Sequence, residues 1–205
     1  PIPSKPLVFL KPSTAILRNG KDFYYPEFSK NIHFELELVL KIAKNGKYIE
    51  ERYAPDYYEE IGLGIDFTAR DLQDACKQKG HPWEIAKAFD NSALQGGFLP
   101  KEDVNLQGIS FHLEKNGEVQ QKGNSKDLIF SFDNLISYVS KFMVQYLEYC
   151  QHFFRFDEDE INNKFSMNDD DDLHPNQNMI SDLFWFDRRY EDKLGIAFEI
   201  TVLFD

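Results

Sequence analysis

Between Ile32 and Ile42 the chain alternates with a strict period of two. Ile32, Phe34, Leu36, Leu38, Leu40 and Ile42 are apolar, and His33, Glu35, Glu37, Val39 and Lys41 stand between them. A helix returns its side chains every 3.6 residues, whereas a strand sends successive side chains to opposite faces. The segment from Ile32 to Ala43 therefore reads as a half-buried β-strand, and it commits the chain to a sheet with one apolar face on a core. The same alternation places Glu35 and Glu37 on one face, roughly 6.5 Å apart along the strand. A third carboxylate, Asp66, lies in a second apolar segment, Gly64-Ile65-Asp66-Phe67-Thr68-Ala69. Three such groups make an all-oxygen donor set that suits a hard cation, magnesium first, then manganese or calcium.

A length of 205 residues fits one domain, or one domain with an appendage. The formal charge of -12 argues against nucleic acid and against anionic membrane surfaces, both of which call for a basic face. Much of the acid excess lies in Asp157 to Glu160 and Asp169 to Asp172, which read as solvated loop, since neither run has the alternating acids and glycine of an EF-hand. Cys76 and Cys150 are the only cysteines, too few for a disulfide framework. With no membrane-length apolar run and no visible signal peptide, the expected location is the cytoplasm.

Further elements follow along the chain. Pro6 to Lys11 reads as a short buried strand ending at Pro12, and Lys44-Asn45-Gly46-Lys47 as a hairpin turn. Tyr57 to Ile61 is expected to be helical and to lead into the strand carrying Asp66. Arg70 to Lys79 reads as a helix stopped by Gly80, with Pro82 beyond. Ile109–Leu113 and Glu118–Gln121 flank Lys115-Asn116-Gly117, a second hairpin signal. Asp133 reads as the N-cap of a helix through Phe142. Glu199 to Phe204 is expected to form a last strand. Strands outnumber helices, so the fold class is mainly β with a few helices (α+β).

Four motifs in order, Pro6-Leu7-Val8-Phe9-Leu10-Lys11-Pro12-Ser13-Thr14, Glu35-Leu36-Glu37-Leu38, Asp66-Phe67-Thr68-Ala69-Arg70-Asp71-Leu72-Gln73 and Pro82-Trp83-Glu84-Ile85-Ala86-Lys87-Ala88-Phe89, resemble the fumarylacetoacetate hydrolase family, in particular its small acylpyruvate hydrolase and oxaloacetate decarboxylase-like members. The resemblance runs from about Pro6 to Phe142. It implies a rolled mixed β-sheet, a homodimer, and a magnesium ion held by Glu35, Glu37 and Asp66. It further implies a catalytic Lys87, with Arg70 and Gln73 on the substrate. The implied substrates are small 2-oxo or 1,3-diketo acids, either acylpyruvates cleaved at a carbon–carbon bond or oxaloacetate losing carbon dioxide. Such chemistry leaves an enolate, whose charge a metal and a lysine stabilise. A planar guanidinium suits a substrate carboxylate.

Two features depart from the family. Its members open with a segment carrying a His and a Glu that activate water, and this sequence begins at Pro1, where that segment should end. Beyond Phe142 the family's Thr-Gly-Thr-Pro loop is not matched. The division expected is therefore 1–142 as a catalytic domain lacking its N-terminal segment and 143–205 as a divergent aromatic and acidic segment. Hydrolysis needs a base for water, but decarboxylation does not. The competing reading is a non-catalytic relic of the same fold that binds metal or a protein partner. His33 shares the glutamate face and is either a substitute base or a structural residue. Arg70 and Asp71 have the alternative of a simple ion pair at the helix start.

Overall fold

The strand announced by the alternation is β2 (Ile32–Ile42), and the sheet is assembled around it. The structure is a computed structural model and describes residues 3–18, 21–143, 151–154 and 166–167. β1 (Ile16–Arg18) is followed by β2, by β3 (Tyr58–Ala69), by the helices α1 (Arg70–Lys79) and α2 (Glu84–Lys87), and by β4 (Ala93–Pro100). The hairpin β5 (Ser110–Lys115) and β6 (Glu118–Asn124) precedes α3 (Phe132–Ser140), β7 (Gln151–Phe154) and β8 (Ser166–Met167). The main sheet runs β1-β4-β3-β2-β7, with β8 also on β2, and among the described residues only the β1–β4 pair is parallel. The result is the expected class: a mixed, curled sheet with few helices.

The apolar side chains of β2 join Ile61, Ile65 and Phe67 of β3 and Leu94 of β4 in one core. Phe23 stacks on Phe67 with ring centroids 3.9 Å apart. The hairpin contributes Phe111 and Leu113 to this core, and α3 contributes Phe132 and Ile136. β2 is not half-buried, however: every residue from Ile32 to Leu40 is buried, those of the polar face included. Charged neighbours cover that face instead of water.

Gly80 adopts a left-handed conformation (φ 64°) directly after α1, and its N–H closes the helix end. The β5–β6 turn has Asn116 at φ 55° and Gly117 at φ 79°, the two positive angles a type I′ turn needs. Other expectations need correction. Residues 6–10 lie outside any strand and Leu7 is 69% exposed; only Lys11 of that run is buried. Lys44 to Lys47 opens a longer connection containing a 3-10 helix (Glu51–Tyr57), so β2 and β3 pair without a tight turn. Tyr58 to Ile61 is strand, because it pairs with Leu40, Lys41 and Ile42 of β2. Ser131, not Asp133, caps α3, its Oγ accepting the Asn134 N–H at 3.1 Å. The strand expected at Glu199 to Phe204 lies outside the described residues. Among the described residues no helix is long and apolar enough to cross a membrane.

Candidate functional site

Residues directly opposed in an antiparallel pair project their side chains to the same face. In the β2–β3 register Glu35 opposes Asp66, His33 opposes Thr68, and Glu37 opposes Gly64, which adds no side chain. Pairing two strands thus suffices to bring Glu35, Glu37 and Asp66 together. One carboxylate oxygen from each lies within 4.8 Å of the others, and the three residues are 0%, 3% and 1% exposed.

Buried carboxylates need cations or hydrogen bonds, and three cationic side chains supply them to Glu35 and Asp66. Lys87, at the end of α2, is 1% exposed, with its Nζ 2.7 Å from Glu35 Oε2 and 2.6 Å from Asp66 Oδ2. It also donates to Thr68 Oγ1 at 2.5 Å. Arg70 opens α1 directly after β3, and its Nη2 meets Glu35 Oε1 at 2.5 Å. Its Nη1 donates to Gln73 Oε1 at 2.5 Å, since positions i and i+3 share a helix face. Arginine only donates, so Gln73 must turn its oxygen toward it. The amide nitrogen Nε2 of Gln73 is then buried and makes no hydrogen bond among the described residues. The Arg70 Nε donates to His33 Nδ1 at 3.4 Å, which requires a bare Nδ1. Burial, and then the Arg70 charge, push the His33 pKa down to about 4, so the ring is uncharged at neutral pH.

Lys11 is the third cation. It is 1% exposed, with Nζ 2.8 Å from Asp66 Oδ1. Its hydrogen bonds go to the Ser92 carbonyl (3.1 Å), Ser92 Oγ (3.0 Å) and the Lys87 carbonyl. Desolvation, with the nearby Lys87 charge, lowers its pKa, against the pull of Asp66. Asp66 Oδ1 is thus held in an ion pair with this ammonium. The six side chains, three carboxylates and three cations, sum to zero charge.

The donor set fits a hard divalent cation. Three buried carboxylates converge on one region, and all donors are oxygen. All six residues expected from the sequence, Glu35, Glu37, Asp66, Arg70, Gln73 and Lys87, fall in this one cluster. Asp71 does not pair with Arg70. It holds Ser29 Oγ (2.7 Å) and the Lys30 N–H (3.1 Å) instead. Lys11 and Thr68 were not anticipated. Thr68 was readable in principle, two residues from Asp66 and so on its face, whereas the apolar run before Lys11 hid a buried lysine as a strand end.

The fold and site together are a curled mixed sheet carrying a buried carboxylate triad faced by two lysines and an arginine. Residues 1–148 match the family described as fumarylacetoacetate (FAA) hydrolase C-terminal, and the chain belongs to that family. It is 43% identical over 142 residues to oxaloacetate tautomerase FAHD1, mitochondrial, of Bos taurus, covering 69% of this chain and 64% of that one. It is 37% identical over 144 residues to oxaloacetate decarboxylase, mitochondrial, of Dictyostelium discoideum, covering 69% and 66%. The fold is similar to fumarylpyruvate hydrolase from Pseudomonas aeruginosa in complex with Mn2+ and pyruvate, with a TM-score of 0.61 and 29% identity over 78% of this chain and 76% of that one. The chain matches under two thirds of the length of these two curated relatives. The cytoplasmic location expected from the sequence is corrected here: both relatives are named as mitochondrial proteins.

Proposed function

We propose that this chain acts on a small 2-oxo acid, oxaloacetate first, with a divalent cation, magnesium or manganese, held by Glu35, Glu37 and Asp66. The observation that carries this reading is the charge-neutral cluster with an unpaired donor, Gln73 Nε2, at its edge. A divalent cation adds two positive charges to a neutral, buried site, and a dianionic substrate restores the balance. Oxaloacetate is such a dianion, whereas acetylpyruvate brings one charge. The names of the bovine and Dictyostelium relatives support the substrate, and the Mn2+ and pyruvate of the Pseudomonas hydrolase support the metal and the 2-oxo acid class. Residues 1–142 form the catalytic unit, 143–205 are a divergent segment that lends β7 and β8 to the main sheet, and the assembly is the homodimer that the family resemblance implies.

When bound, the cation supplies Lewis acidity that polarises the 2-oxo oxygen of the substrate. Arg70 offers its planar fork to a substrate carboxylate, and Gln73 Nε2 donates to a further oxygen. The neutral His33 ring accepts from Arg70 Nε and so fixes the plane of the guanidinium. In decarboxylation the bond from C3 to the leaving carboxylate breaks, and its electrons move toward the C2 oxygen as an enolate. Lys87 places a positive charge beside that oxygen in a site where water is scarce. Hydrolysis of an acylpyruvate needs a base to activate water. His33, with its pKa pushed down to about 4 and its Nδ1 engaged, is poorly suited to that task.

The test is consumption of oxaloacetate and of acetylpyruvate, followed by NMR with magnesium, with manganese and with chelator. Wild-type protein should consume oxaloacetate faster than acetylpyruvate, only with metal, and Glu35→Ala should abolish it. Metal-independent turnover, or turnover that survives Glu35→Ala, overturns the proposal. Metal binding with no turnover of either acid favours the non-catalytic relic.

A further inference from the structure

Gln121 belongs to β6, in the separate hairpin, yet its side chain reaches the main sheet between the two glutamates. The Leu36 N–H donates to Gln121 Oε1 at 2.7 Å, and Gln121 Nε2 donates to the Leu36 carbonyl at 2.9 Å. One primary amide thus makes both of the bonds that a neighbouring strand would make to Leu36. β7 pairs with β2 at Leu38 to Lys41, and β8 pairs with it at Ile32 and His33. Leu36 lies in the gap between them. Consecutive strand residues offer their peptide groups to alternate edges, so Leu36 turns its N–H and carbonyl away from β3. Glu35 and Glu37, on either side, turn theirs toward Asp66 and Gly64. The tripeptide Glu35-Leu36-Glu37 is therefore held from both edges, and on one of them the holder is a side chain that is itself 6% exposed.

We propose that Gln121 is a positioning residue for the carboxylate cluster. It fixes the two peptide units flanking Leu36, so that Glu35 and Glu37 keep the spacing a divalent cation requires. The inference rests on the reading that these carboxylates hold such an ion. The physical need is plain: three buried carboxylates repel one another, and a strand edge with an unbonded N–H and carbonyl can twist to let them separate. Outer partners that orient metal ligands typically contribute about 10–100-fold to affinity.

Mn2+ affinity measured by calorimetry on the full chain tests this, comparing wild type with Gln121→Met, Gln120→Met and Glu35→Ala. Methionine keeps the length of glutamine and removes both hydrogen bonds. Gln120 is the neighbouring control, since among the described residues its side chain bonds only to the Glu118 carbonyl of its own strand. Gln121→Met should bind Mn2+ about 10–100-fold more weakly, Gln120→Met should match wild type, and Glu35→Ala should lose binding. Near-UV circular dichroism checks that each variant is folded at the assay temperature. Lower stability alone leaves the Kd of folded protein unchanged, so a weaker Kd reports positioning. If Gln121→Met does not fold, Gln121→Glu takes its place, keeping the acceptor for Leu36 N–H and losing the donor to the Leu36 carbonyl. A folded Gln121 variant with wild-type affinity overturns this inference while leaving the carboxylate site intact. If wild-type protein binds no Mn2+, the metal reading fails, and this inference fails with it.

Discussion

Replacing Lys87 by methionine keeps most of the side chain's length and removes its charge, and the surroundings set the size of the effect. The ammonium neutralises Glu35 Oε2 at 2.7 Å and Asp66 Oδ2 at 2.6 Å in a position 1% exposed, so solvent screening offers little relief. Removing one partner of a buried ion pair costs about 3–5 kcal/mol. Each carboxylate keeps a second cation here, Arg70 for Glu35 and Lys11 for Asp66, which places the cost near the lower end. For a chain of this size about 3 kcal/mol lowers Tm by roughly 6–12 °C. That is the expected difference between Lys87→Met and wild type in chelator, read by circular dichroism. A divalent cation at 100 times its Kd adds about 2.7 kcal/mol of stability. Since the ammonium and the cation contend for the same oxygens, the metal-induced rise in Tm should be larger in the variant than in wild type. Equal Tm values in chelator, or a smaller metal response in the variant, would refute the view that Lys87 balances these two carboxylates.

Two glycines of one hairpin should respond differently to alanine under urea. Gly117→Ala meets no atom within 4 Å and should cost only the strain of φ 79°, about 1–2 kcal/mol, whereas Gly123→Ala puts its Cβ 2.4 Å from Phe111 Cζ and should cost about 1–3 kcal/mol with a shifted Phe111 ring. Asp71 is subject to desolvation, which raises its pKa, but hydrogen bonds from Ser29, Lys30 and Leu72 outweigh it and hold the pKa below the ordinary 3.8. Its folded pKa is the lower one, so the stability advantage of wild type over Asp71→Asn should be present above pH about 4 and fade as pH falls through the depressed value, in thermal melts across that range.

Local patterns made much of this fold legible. The alternation of β2, the stop of α1 at Gly80 and the Asn116-Gly117 turn each depend on residues a few positions apart. The pair Glu35 and Glu37 was legible for the same reason, being two apart on one strand, whereas Asp66 was tied to them by the family resemblance and joins them in the fold through β2–β3 pairing. Other features are decided at a distance. Tyr58 to Ile61 has no strand signature of its own, and pairing with the far end of β2 overrides its local preference. Lys11 is buried because Asp66, Ser92 and the Lys87 carbonyl surround its ammonium, and nothing adjacent to it in sequence announces them. The cover over the polar face of β2 was hidden too, because it comes from α1, α2 and the loop before β1.

One strand supplies both the floor of the core and the floor of the site, and this leaves no neutral mistake in its assembly. A one-residue slip of β2 against β3 would turn Glu35 and Glu37 into the hydrocarbon interior and Phe34, Leu36 and Leu38 onto the lysines. Both halves of the molecule would fail at once. A register-slipped chain therefore cannot persist as a well-folded impostor with a scrambled site: the protein proofreads the facing of its carboxylates through its hydrophobic register.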